Sequence, residues 1–154
     1  MCWALSAQSA EQVPVKIHVS THIYNGKTKD SIEWNGFGQY LEKDNGKYIK
    51  YEEIAEEGTI KTIIKITENE GIILRSGAVK MRLSFVLNKK RNGSYESPYG
   101  TFLVETDTKR MLLDVSQQSL TEGNFDLLYE LKMQGKSNGT YHMTIDFKEE
   151  AEQK

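Results

Sequence analysis

His18 and His22 stand four residues apart, the spacing at which two imidazoles on a helix share one zinc ion. On a strand the same spacing separates them by about 13 Å, too far for one metal unless the chain bends sharply. Their neighbours favour the strand: Val13, Val15, Ile17, Val19 and Ile23 alternate with Lys16, His18, Ser20 and His22. The third histidine, His142, also falls on a polar row, so all three are expected at the surface, with no metal and no cofactor.

Other chemical candidates fail on spacing or context. Gly36-Phe37-Gly38-Gln39-Tyr40-Leu41 begins like a dinucleotide fingerprint but lacks the third glycine and the following helix. Glu52-Glu53 and Glu56-Glu57 flank one hairpin end, and adjacent strand residues point to opposite sides, so neither pair supplies two cooperating carboxylates. There is no Walker loop, HExxH or GxSxG, and the lone cysteine, Cys2, has no local partner. The basic run Lys89-Lys90-Arg91-Asn92-Gly93 suits a solvated hairpin tip, because it lacks the interleaved aromatics that stack bases.

A cationic stretch, RSGAVKMRLSFV from Arg75 to Val86, is the strongest charge pattern. A two-residue turn at Ser76-Gly77 would pair Leu74 with Val79 and Ile72 with Met81, leaving Arg75, Lys80 and Arg82 together on the outer face. That face is an ordinary solvated surface or an anion- and partner-binding patch. Val79, Met81, Leu83, Phe85 and Leu87 form the opposing apolar row.

The elements that must position these residues are strands. The 154 residues suffice for one domain with a sizeable core, and a net charge of -2 argues against nucleic-acid or acidic-membrane binding. One cysteine allows no internal disulfide, which favours a reducing cytoplasm. Met1 to Gln12 suits a flexible leader, residues 13–148 one β-barrel domain, and Glu149 to Lys154 a charged, frayed tail.

Ten strand-like segments are expected: Val13–Ile23, Ser31–Lys43, Lys47–Ala55, Thr59–Glu68, Gly71–Arg75, Ala78–Asn88, Tyr99–Thr106, Lys109–Gln117, Asn124–Gln134 and Thr140–Lys148. Asp44-Asn45-Gly46 predicts a tight type I′ turn that sets Tyr40 opposite Tyr51. In the last hairpin, a tight turn at Asn138-Gly139 would put the two apolar rows on opposite faces, so a wider loop with Met133 opposite Tyr141 is predicted. Gly36 and Gly38 inside a strand predict a bulge or corner. Short links favour an all-β, antiparallel up-and-down barrel of about 8–10 strands, closed or nearly so, over a two-sheet sandwich.

RSGAVKMRLSFV, with SYESPYG at Ser94 to Gly100 and YEL at Tyr129 to Leu131, resembles the YwiB-like family of uncharacterised small proteins from Gram-positive bacteria. The resemblance runs from about Val13 to Phe147. It implies a calycin-like or lipocalin-like barrel and supplies no catalytic residues.

The inward row then carries the functional expectation. Trp34, Tyr40, Met81, Tyr129 and Tyr141 are expected in the lumen, where phenols would orient a small amphipathic ligand and Met81, Leu83 and Leu131 would form an apolar sleeve. The alternative is a filled barrel that works as a protein-interaction module through the Arg75–Lys80–Arg82 face. An enzyme whose acid and base meet only in three dimensions is the third reading.

Overall fold

Inward-facing residues at every second position recur along the whole chain, and ten antiparallel strands share them. The computed structural model describes residues 12–150; the expected leader up to Glu11, with Cys2, and most of the charged tail lie outside them. The strands are β1 (Val13–Asn25), β2 (Thr28–Lys43), β3 (Gly46–Ala55), β4 (Gly58–Ile66), β5 (Gly71–Gly77), β6 (Lys80–Phe85), β7 (Lys90–Ser97), β8 (Gly100–Ser116), β9 (Glu122–Met133) and β10 (Lys136–Glu149). Each pairs with its sequence neighbours, and β10 pairs back onto β1 to close the barrel. Closure satisfies the backbone groups that an open sheet edge would leave bare.

The strand count matches the expectation through two compensating differences. Tyr99–Thr106 and Lys109–Gln117 are one continuous strand, β8, and the missing strand is β7, in a stretch expected to be a basic hairpin tip. Lys90–Ser97 carries a single large apolar residue, Tyr95, so hydrophobic alternation could not reveal it. The break within β8 is a bulge: Thr108 pairs with Tyr129 and Arg110 with Leu128, leaving Lys109 extra. Before it Val104, Thr106 and Thr108 face inward; after it Met111 and Leu113 pack on the core.

The last hairpin solves its parity problem in the same way. Its turn is Gln134-Gly135, both with positive φ, and Asn138 is the extra residue of a bulge. Tyr141 therefore faces Tyr129, not Met133, and the rows Phe125, Leu127, Tyr129 and Tyr141, Met143, Ile145 share the interior as expected.

In the β2–β3 hairpin, Asp44 and Asn45 occupy the two positive-φ positions, one residue earlier than predicted. Tyr40 consequently pairs with Ile49, and Gly38 with Tyr51. The slip is two residues in register, so no side chain changes face.

No bulge lies at Gly36 or Gly38, since the β1–β2 register runs unbroken. Glycine is required at position 38 because a Cβ there would meet the Lys50 carbonyl oxygen and Ile17 Cδ1. Gly38 is also where the β2–β3 ladder ends. Beyond it Thr28–Phe37 pairs with β1 alone among the described residues, and the Trp34 ring stacks on Tyr51 at 4.8 Å just past the last β2–β3 pair.

The β5–β6 connection departs most from expectation. Ser76 and Gly77 continue the ladder with β4, pairing with Lys61 and Ile60, instead of forming a turn. The first β5–β6 pair is therefore Arg75 with Met81. This reverses the faces of β5: Arg75 and Ile73 point inward, while Ile72 and Leu74 face out.

Gly38→Ala should lower the stability of the protein by about 1–3 kcal/mol, the usual range for forcing atoms into a packed region. Urea unfolding measures it, with Gly135→Ala, where a Cβ would meet open space, reporting the separate penalty of positive φ.

Candidate functional site

Large buried side chains pack one end of the barrel most fully. There Val15, Ile17, Tyr40, Ile49, Phe125, Leu127, Ile145 and Phe147 are buried, with Tyr40 stacked on Phe147 at 5.0 Å. Toward the other end lies a cavity of about 220 Å³. Its walls come from β1 to β6, β9 and β10, and every wall residue belongs to an inward row.

Apolar groups form the floor and part of the wall: Val19, Ile64, Ile73, Met81, Leu83 and Met143. Two aromatic stacks face the same space, Trp34 on Tyr51 and Tyr129 on Tyr141, the latter at 5.3 Å. Stacked rings restrict each other's rotamers, which fixes where the phenol oxygens can point. Phe85 braces Tyr129 from below in an edge contact at 4.8 Å.

Polar chemistry enters through β3, β4 and β5. Glu53 lies on the row of Ile49 and Tyr51, and its Oε1 accepts a 2.7 Å hydrogen bond from Nη2 of Arg75. Both side chains are about three-quarters buried, so this pair is far less screened than a surface bridge. Arg75 Nε and Thr62 Oγ1 are buried without hydrogen-bond partners, and both residues line the cavity. A buried polar group left unpaired costs roughly 1–3 kcal/mol.

Burial keeps the phenols protonated. Tyr51 is pushed up to about 12, mainly by desolvation and further by the Glu53 charge. Arg75 opposes that shift, as does the Thr62 hydroxyl, close enough to act without making a bond of acceptable geometry. Desolvation likewise raises Tyr129, and then Tyr141 nearby, with Arg75 opposing; Tyr141 is raised by desolvation while Asn138 donates to its oxygen at 2.9 Å.

Of the expected lumen residues, Trp34, Met81, Tyr129 and Tyr141 line the cavity. Tyr40 does not: it is packed at the filled end and donates its hydroxyl to Glu42. Leu83 is part of the apolar wall, whereas Leu131 is buried elsewhere in the core. Tyr51, Glu53, Thr62 and Arg75 are the cavity groups that sequence reasoning missed. The signal for Glu53 was present in the row Ile49, Tyr51, Glu53, which continues a buried position by twos.

The expected cationic patch is divided. Lys80 and Arg82 are exposed on the outer face, opposite Glu96 and Ser94, while Arg75 lies inside. The cause is the β4 pairing of Ser76 and Gly77, which shifts the turn.

The histidines sit on the outer face. His22 pairs across strands with His142, and their rings lie 6.5 Å apart. Each has a separate polar partner: His22 faces Ser31 at 2.9 Å, His142 faces Asp126 at 3.0 Å, and His18 faces Glu33 at 3.1 Å. Among the described residues no three His, Cys, Asp or Glu side chains converge as metal ligands.

With this geometry in place, comparison with known proteins defines the family. Residues 17–145 match the model of a domain of unknown function, DUF1934, and the chain belongs to that family. It is 29% identical over 137 residues to the "uncharacterized beta-barrel protein YwiB" of Bacillus subtilis (strain 168), covering 89% of this chain and 94% of the relative. The crystal structure of the Bacillus subtilis ywiB protein superimposes with a TM-score of 0.81 at 27% identity, over 95% of this chain and 99% of that one.

Two outcomes separate the faces. Arg82→Glu, on the exposed side, should change stability by less than about 0.5 kcal/mol. Arg75→Met should lower it by about 1–3 kcal/mol, because Glu53 then loses its buried partner. Chemical unfolding compares them.

Alkaline titration supplies a further check. A folded-state pKa raised above the unfolded value of about 10 means that the Tyr51 contribution is intact below pH 10 and is lost as pH climbs toward 12. Tyr51→Phe should therefore flatten the stability loss in that window, measured by thermal melts from about pH 9 to 12.

Proposed function

We propose that this protein is a non-enzymatic binding barrel of the calycin type that acts in the cytoplasm and holds a small amphipathic molecule in the open part of its lumen. The observation that carries this reading is the uneven filling of the barrel. One end is packed by apolar side chains, while the other keeps a cavity of about 220 Å³ lined by two aromatic stacks, a buried ion pair and unpartnered polar atoms. Sites for small molecules have this mixture: mostly apolar walls, with a few convergent polar groups that fix orientation.

Size narrows the occupant. The cavity lies below the roughly 300–1,000 Å³ typical of drug-sized ligands, which favours a single substituted ring or a short chain over a long acyl tail. The interaction-module alternative loses its main feature, since Arg75 does not join Lys80 and Arg82 outside.

Native mass spectrometry of the purified protein, with titration of p-cresol followed by ligand-detected NMR, tests the proposal. Saturable p-cresol binding is expected, and Met81→Trp, which fills the cavity, should weaken it at least about tenfold, while Leu103→Trp on the outer face leaves it unchanged. The reading fails if no molecule copurifies and p-cresol does not saturate, or if Met81→Trp binds it as well as the parent protein.

A further inference from the structure

Closure of the barrel still leaves one stretch of strand edge bare. The β2–β3 ladder spans only Gly38–Lys43 of β2, so among the described residues Thr28–Phe37 pairs with β1 alone and Glu52–Ala55 with β4 alone. The free edge of β2 is roughly 30 Å long. Every side chain from Thr28 to Glu33 is exposed, on both faces of the strand. Along such an edge half of the backbone N–H and C=O groups lack a strand partner, which makes it a template for another strand. Charge ordinarily blunts an edge of this kind, and Lys29, Asp30 and Glu33 supply it. Their order also selects a register.

We propose that the bare β2 edge is the docking surface for a second copy of this chain, the two β2 strands pairing antiparallel about a two-fold axis at Ser31. In such a pair the residue on the axis meets itself, and residues equally far before and after it meet each other. An axis at Lys29, Asp30 or Glu33 would set like charges directly opposite, which destabilises a strand pair. An axis at Ile32 would set Lys29 against Asn35 and Asp30 against Trp34, matching no charge. The axis at Ser31 sets Lys29 opposite the partner's Glu33 and Glu33 opposite the partner's Lys29, both pairs on the outer face. Asp30 then meets Ile32, so no like charges are opposed. Each charged residue has only an exposed contact on β1: His18 lies 3.1 Å from Glu33, and the Lys29 ammonium stands 5.6 Å from the centre of the Tyr24 ring. Exposed pairs of this kind are weak, so both residues stay available to a second chain. The contact lies outside the lumen and does not depend on what the lumen holds.

Sedimentation velocity of the full chain, from micromolar to millimolar concentration at low salt, tests the proposal. A reversible monomer–dimer equilibrium is expected, weakening as salt screens the two ion pairs. K29E and E33K should each weaken the dimer at least about tenfold, because two attractions become two repulsions. An equimolar mixture of the two variants should recover it, since every lysine of one then faces a glutamate of the other. K29E/E33K, with the charges exchanged within one chain, should dimerise like the parent and serves if a single variant folds poorly; circular dichroism checks each barrel. A parent chain that stays monomeric at every concentration overturns the proposal and leaves the edge to an extended segment of a different protein. Dimerisation that K29E and E33K leave unchanged places the contact elsewhere and overturns it too, as does a mixture of folded variants that remains monomeric.

Discussion

Everything in this molecule depends on a two-residue period being carried around a closed sheet. In a barrel each strand donates alternate side chains to one shared interior, and a slip of one residue turns an entire row outward. The chain keeps the period where it can and resets it with a bulge where it cannot. Lys109 is the extra residue of β8 and Asn138 that of β10. Without the first, Met111 and Leu113 would face water; without the second, Met143 and Ile145 would.

A second consequence follows from strand number. Barrel diameter grows with the number of strands, and about eight already leave an interior that side chains can fill or that holds one small ligand. Ten strands make a wider space. At one end it is filled with large residues such as Tyr40, Phe125 and Phe147. At the other the β2–β3 ladder stops at Gly38 and Tyr51, and the inward positions turn partly polar. The cavity thus arises where the same alternation places Glu53, Thr62 and Arg75 on the inner face.

How legible this was depended on how strongly each segment advertised its period. β1, β9 and β10 carry four or more large apolar residues at alternate positions, and their inner faces can be read directly. β7 could not be read, since Tyr95 alone marks it, and β8 appeared as two strands because its bulge breaks the pattern. The outward direction of Lys80 and Arg82 followed from the Met81, Leu83, Phe85 row. That of Arg75 did not, because Ser76-Gly77 has the composition of a turn but continues the β4 ladder. The candidate site was legible in its aromatics and hidden in its charges: Trp34, Tyr129 and Tyr141 advertise burial, while a glutamate on β3 and an arginine on β5, with β4 between them, reveal a buried pairing only once the register is known.

Water-to-methyl cross-relaxation in an isoleucine-labelled sample tests the unequal filling of the barrel most directly, since a polar cavity of this size holds water and a packed core does not. The methyls of Ile73, which lines the cavity, should exchange magnetisation with water, while those of Ile49 and Ile145, which are fully enclosed, should not. Silence at Ile73, with all three residues equally dry, would mean that side chains fill the whole lumen and would contradict the account.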